Sequence, residues 1–227
     1  MHSLARRLGF AITALCLATA TFLSPAAHAQ RINVLIVGDS VASVLRWAPE
    51  SMKPLWGSTY NVTLETWGCQ KLLGAGCIES AKLSALDQIV KHRPDGINIV
   101  IVATGYNDTG ADFVRNAMHK INAEAKSQGA SLIWLTYREN GNVRVKNRAF
   151  NDVVKTESKK LHITVMDWEL IARKNKHWFT GDRVHMNKFG GLQLARNIKI
   201  ALDIKMGFAR NSTTSTSTTV VATTVPS

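Results

Sequence analysis

A run of aliphatic residues broken off at Gly-Asp-Ser constrains this chain more than any other feature. From Ile32 to Gly38 five of seven residues are aliphatic, and Asp39 and Ser40 follow at once. A short apolar run of this kind reads as a strand buried on both faces, as in a parallel sheet. Comparable runs recur at Ile97–Ala103, Leu132–Thr136 and Ile163–Asp167, and Asn61–Trp67 alternates as a strand should. Between them lie stretches with helical spacing. The first runs from Val41 to about Trp47, and Lys82–His92 carries Leu83, Leu86, Ile89 and Val90 on one stripe. A third, from Phe113 toward Gly129, has Val114, Ala117, Met118 and Ile121; Val143–Leu161 has Phe150, Val153 and Val154. After Asn187, a helix-capping residue, come Phe189, Leu192, Ala195, Ile198 and Leu202. Strands alternating with helices predict the α/β class. About five parallel strands lie under helices on both faces, joined by right-handed crossovers into a three-layer α/β/α sandwich.

The 227 residues suit one such domain with appendages. Arg6 and Arg7 precede an apolar stretch, Leu8–Leu23, and Ala27-His28-Ala29 puts small residues where a signal peptidase reads them. Residues 1–29 are therefore expected to be a secretory signal peptide and residues 30–209 the domain, with no later segment able to cross a membrane. Residues 210–227, rich in Thr and Ser, bury too little apolar surface to fold and are expected to form a disordered tail or glycosylated stalk. The mature chain is thus expected outside the cytoplasm, secreted or held at the envelope. Cys16 leaves with the leader, and Cys69 and Cys77 remain as an even pair in an oxidising compartment, where a disulfide is the default.

The charge is strongly basic, with 28 Lys+Arg against 16 Asp+Glu, a net +12. It favours anionic partners such as acidic polysaccharide, envelope polymer or lipid head groups, and equally serves solubility. The basic residues are scattered rather than interleaved with aromatics, which argues against nucleic acid. Soft ligands are too few for a metal site. Gly74-Ala75-Gly76 lacks the remaining spacing of a dinucleotide fingerprint, so no cofactor is expected. Trp47, Trp56, Trp67 and Trp178 are candidates for lining a sugar site, with the buried core as their commoner alternative.

The strands of a parallel sheet end at one shared edge, and ligands bind there. Ser40 follows the first strand, Gly68 the second and Asn107 the third. Ser40 is open to two readings: a helix N-cap, or a hydroxyl beside free N–H groups that favour developing negative charge. Asn107 likewise either faces the same pocket or caps the helix beginning near Gly110. Asp182 stands three residues before His185, close enough for its carboxylate to hold one ring nitrogen while the other faces a different group. Among seven histidines only His185 has an acid at that offset. A nucleophilic serine needs such a base and such an orienting carboxylate. Asp39 and Asp108, with no histidine nearby in sequence, read as loop-holding residues.

Gly38-Asp39-Ser40-Val41, Gly68, Gly105-Tyr106-Asn107-Asp108 and Asp182-Arg183-Val184-His185 resemble, in order, the four blocks of the SGNH (GDSL-type) hydrolases. The resemblance spans residues 38–185 and implies a flavodoxin-like fold with ester hydrolysis or acyl transfer. It makes Ser40 the nucleophile, His185 the base and Asp182 its orienter. The backbone N–H groups of Ser40 and Gly68, with the side-chain amide of Asn107, become the oxyanion hole. Val41 stands where the first block usually has Leu, which points away from lipase-like substrates. Together with Cys69 after Gly68, it looks like the exported domains associated with membrane acyltransferases. The implied activity is an exported serine esterase working through an acyl-enzyme on Ser40. It would remove acetyl or other short O-acyl groups from small molecules or from envelope or environmental polysaccharide. An O-acyltransferase uses the same scaffold, and a non-catalytic glycan-binding module is the expectation from another class.

Overall fold

The computed structural model describes residues 31–208; the expected signal peptide and the Thr/Ser-rich tail lie outside the described residues. Five strands, β1 (Ile32–Gly38), β2 (Tyr60–Thr66), β3 (Ile99–Ala103), β4 (Ser131–Leu135) and β5 (Thr164–Met166), pair into one parallel sheet in the order β2-β1-β3-β4-β5. This is the flavodoxin-like doubly wound order, whose switch point lies between β1 and β3. β1 is aliphatic because it feeds two cores. Val34 and Ile36 enter one, Leu35 and Val37 the other. Helices α1 (Val44–Trp47), α5 (Trp168–Ala172) and α6 (Lys188–Lys205) pack on the first core; α2 (Ala85–Lys91), α3 (Ala111–Ser127) and α4 (Arg144–Leu161) pack on the second. Among the described residues no helix is long and apolar enough to cross a membrane.

Several details depart from the periodicity. The helix after Ser40 is a single turn. Ser40–Ser43 form a turn of their own, closed by the Ser43 N–H donating to the Asp39 carbonyl at 2.9 Å. The stretch with Pro49 and Pro54 is a 3-10 turn over Pro49–Leu55. α2 starts only at Ala85, because Ser84 and Asp87 form a reciprocal capping box; Leu83 and Val90 are exposed, and Ala85, Gln88 and Ile89 are the inner face. In α6, Phe189 is exposed, and the buried face is Leu194, Ala195, Ile198, Ala201 and Leu202. Crowding at the first turn sets that rotation. A Cβ at Gly190 would lie 2.1 Å from the Trp178 carbonyl oxygen, and one at Gly191 2.6 Å from Val44.

The four candidate tryptophans are not core residues either. Trp47 and Trp56 are 52% and 59% exposed, Trp67 and Trp178 are half-buried, and the core is filled by Trp134 and Trp168. Trp56 lines a groove of about 430 Å³ with Arg31, Tyr60 and Asn61 at the amino end of β2, the sheet edge opposite Ser40.

Candidate active site

Strand β1 ends at Gly38 because the turn after it folds back onto the strand. A Cβ there would meet Ala42 at 2.7 Å and Thr66 at 3.0 Å, so crowding rather than an unusual backbone angle demands glycine. Ser40, half-buried, begins that turn. It caps nothing: the cap position of α1 belongs to Ser43. The Asp182–His185 loop is the tip of a tight reversal, with a bridge between Phe179 and Met186 and the Thr180 N–H donating to the His185 carbonyl at 2.8 Å. The loop then runs into α6, which Asn187 caps by accepting from the Gly190 N–H at 2.9 Å.

This loop brings together residues 145 positions apart. The His185 Nε2 lies 2.9 Å from the Ser40 hydroxyl oxygen, and its Nδ1 is bonded to Asp182 Oδ2. Asp182 Oδ1 accepts from the Val184 N–H (2.9 Å), the His185 N–H (3.0 Å) and the Thr180 hydroxyl (2.9 Å). Burial works to raise the Asp182 carboxyl, but the His185 ring and these donors outweigh it and hold the group well below the usual carboxylate range. An ionised Asp182 keeps the ring proton on Nδ1, leaving the Nε2 lone pair facing the serine.

The expected oxyanion donors leave from one level edge, since Gly38 pairs in register with Thr66 of β2 and Ala103 of β3. Among the described residues neither the Ser40 nor the Gly68 N–H has a protein acceptor. Asn107 does not cap α3, whose cap is Gly110 without a side-chain bond. Its Nδ2 donates to the Gln70 carbonyl at 3.1 Å, which commits one of the two amide hydrogens and leaves the other free.

Two buried carboxylates tie these loops together. Asp39 accepts from the N–H groups of Val41 (3.0 Å), Gly105 (3.0 Å) and Tyr106 (2.9 Å), joining the loops after β1 and β3. Burial pushes its carboxyl up and those donors oppose the rise. Asp108 accepts from the Leu72 N–H at 3.0 Å, joining the loops after β2 and β3. Burial raises its carboxyl to about 6. Cys69 and Cys77 are joined, with Cα atoms 5.6 Å apart, closing the loop that follows Gly68. Gly76 inside this loop has no room for a side chain, because a Cβ would sit 2.4 Å from the Cys69 carbonyl oxygen.

Two positioning residues had no signal in the sequence. Arg138 is fully buried and stacks 3.7 Å over the Phe179 ring. Its guanidinium donates to the carbonyls of Arg183 and Ala172, both at 2.8 Å. It thereby grips the loop between Asp182 and His185 at Arg183, whose φ of 63° is left-handed. The Lys146 ammonium donates to the carbonyls on either side of Asn107, at Tyr106 (2.5 Å) and Asp108 (3.2 Å). His92 shows that a carboxylate near a histidine is not itself a site. Its Nδ1 meets Asp95 at 2.5 Å and its Nε2 meets Glu65 at 2.8 Å, so no ring nitrogen is left for a nucleophile. Among the described residues no cluster of three or more His, Cys, Asp or Glu could hold a metal ion.

Fold and site define a class: a flavodoxin-like α/β/α sandwich with a Ser-His-Asp relay at the carboxyl edge of its sheet. Solved structures narrow this. The chain is similar to TesA (TM-score 0.59, 15% identity, 76% of this chain and 98% of that one). It is also similar to a lipolytic protein of the G-D-S-L family from Veillonella parvula DSM 2008 (0.56, 15%, 77% and 98%). A third is a variant of the acetyl xylan esterase Axe2 from Geobacillus stearothermophilus (0.53, 14%, 79% and 96%). No family model and no curated protein matches the sequence. The chain has the fold of the SGNH (GDSL-type) hydrolases, as its four blocks implied.

Proposed function

We propose that this protein is an exported serine esterase that removes short O-acyl groups from a polysaccharide. The observation that carries the reading is the His185 Nε2 placed 2.9 Å from the Ser40 hydroxyl with Asp182 behind it. His185 takes the Ser40 proton as the oxygen attacks the ester carbonyl carbon. The N–H groups of Ser40 and Gly68 and the free Asn107 amide hydrogen meet the resulting oxyanion, each donor of this kind being worth about 10²–10³ in kcat. Collapse breaks the bond to the alcohol, which leaves with the proton from His185, and Ser40 carries the acyl group. Water, deprotonated by His185, then releases the acid and restores Ser40. His185 and Asp182 are each nearly half exposed, so water reaches them freely, which favours hydrolysis over transfer to a second alcohol. A binding module would have no use for this relay. Beside Val41 the void lined by Tyr106, Trp168 and Met186 is only about 10 Å³, the room of about one water, so it offers no channel for a long acyl chain. The Cys69–Cys77 disulfide supports export.

A panel of 4-nitrophenyl esters of increasing acyl length, with and without a sugar acceptor, tests the reading. The acetyl ester is expected to be the best substrate. Ser40→Ala, His185→Ala and Asp182→Ala are each expected to abolish nearly all turnover while the protein stays folded. Double variants lose little more than singles, because the residues act as one unit. Normal turnover by Ser40→Ala overturns the assignment.

A further inference from the structure

Beside His185 stands a group of basic side chains that the relay does not use. Arg173, Lys174, Lys176 and His177 follow α5, Arg183 lies inside the Asp182–His185 loop, and Lys188 opens α6; all six are exposed. Backbone bonds gather them at one rim. Arg138 grips the carbonyl of Ala172, just before Arg173, with the same guanidinium that holds Arg183. Asn187 donates to the Trp178 carbonyl through its backbone N–H (3.0 Å) and to the His177 carbonyl through its side chain (2.8 Å), two residues beyond His185. The His177 ring packs at 5.8 Å against that of Phe189, which is 47% exposed.

The charges of this rim are unbalanced. Several lysines and arginines elsewhere pair with acids, as Lys91 does with Glu65, Arg93 with Glu124, Arg115 with Glu157 and Lys155 with Asp167; others among the described residues, Lys120, Lys126 and Lys159 included, stand unpaired on α3 and α4, outside the rim. Among the described residues none of the rim's five lysines and arginines has a carboxylate within 4 Å. The acids of the surrounding loops are engaged. Asp182 is held by His185, Glu139 pairs with Arg148 at 3.0 Å, and Glu169 accepts the Glu139 N–H at 2.7 Å. Like charges left unpaired repel one another, and an anionic chain lying along them relieves that repulsion.

We propose that this rim binds a carboxylate-bearing polysaccharide, so that the O-acyl groups presented to Ser40 belong to an acidic glycan rather than a neutral one. The inference rests on the esterase reading above. Arg173 and Arg183 offer planar forks that suit carboxylates, the lysines supply point charge, and the exposed Phe189 gives a sugar ring an apolar face beside His177.

The test compares O-acetylated polygalacturonate, neutral acetylated glucomannan and 4-nitrophenyl acetate. The rim variant is Arg173→Glu/Lys174→Glu/Lys176→Glu. A control with the same charge change, Lys120→Glu/Lys126→Glu/Lys159→Glu, alters exposed residues of α3 and α4 on the other face of the sheet. Wild type is expected to favour the acidic polymer over the neutral one by about tenfold or more in kcat/KM at low salt, and to lose that preference near about 0.5 M salt. The rim variant is expected to lose about tenfold on the acidic polymer, through KM, while the control loses nothing. Equal rates on both polymers at low salt, or an unchanged rim variant, overturn the proposal. So does tighter rim-dependent binding to anionic phospholipid vesicles or to single-stranded DNA. No turnover of 4-nitrophenyl acetate by wild type sinks the esterase reading instead. In that case gel retardation of the Ser40→Ala protein by polygalacturonate, with and without the rim substitutions, still decides the rim.

Discussion

A serine hydroxyl is a weak nucleophile, and in the proposed mechanism Ser40 depends on the imidazole set against it by Asp182. The same dependence extends one layer further, to residues that touch neither reacting atom. Arg138 holds Arg183 in its left-handed conformation, so it fixes the loop that aims His185. Lysine there has no planar group to stack on Phe179 while two spaced donors reach the Arg183 and Ala172 carbonyls. Arg138→Lys is expected to cost about 1.5–3 kcal/mol, as losing a hydrogen bond from a buried charged group does. It should also lower kcat far more than KM, and steady-state kinetics beside a thermal melt check both. At Asn107 the geometry excludes capping and leaves the proposed oxyanion role to be tested. Because its amide meets the Gln70 carbonyl and not the end of α3, Asn107→Asp loses the donor and sets a carboxylate against a carbonyl oxygen. That variant is expected to lose about 10²–10³ in kcat with KM nearly unchanged. Its stability should fall by about 1–3 kcal/mol, read as a lower melting temperature. An active Asn107→Asp enzyme rules the oxyanion role out.

Among the structural elements, the loops after β1, β2 and β3 carry Ser40, Gly68 and Asn107, and each is tied to its neighbour rather than left to the strands. Asp39 and Asp108 make the side-chain ties, and the Cys69–Cys77 bridge stiffens the loop holding Gly68. Closing so short a loop is worth about 2–3 kcal/mol in chain entropy. Cys69→Ser/Cys77→Ser is expected to lower stability by that amount in denaturant titration. It should also lower kcat, since the Gly68 N–H then has to be ordered during the reaction. Spacing placed these loops correctly yet missed where helices begin. A capping box moved α2 forward to Ala85, and the Ser40–Ser43 turn delayed α1. Such shifts arise from hydrogen bonds that compete with the helix, which apolar periodicity does not register.

For the whole molecule, two buried carboxyls set a pH dependence. The Asp108 carboxyl rises from 3.8 to about 6, and Asp39 is also raised. The native state therefore keeps protons that the unfolded chain has released, so stability falls as pH climbs from about 4, the Asp108 share of the loss being complete a little above pH 6. Asp182 acts oppositely, its contribution being lost only as pH drops below the ordinary carboxylate range. Melting temperatures are expected to decline from pH 5 to pH 7.5, and Asp108→Asn is expected to remove part of the decline, on the order of 2 kcal/mol. A variant whose melting temperature declines as steeply as wild type refutes the role given to Asp108. What the sequence by itself determined was the class of fold, the parallel sheet and the residues at its edge. Buried strands must be aliphatic, and a serine-histidine-aspartate relay tolerates few substitutes. Only the tertiary structure decided which face of α6 is inside, that Arg138 and Lys146 serve the site, and that six scattered basic residues share one rim. Those facts depend on which carbonyls and side chains meet across the fold, and contacts between distant residues leave no period in the chain.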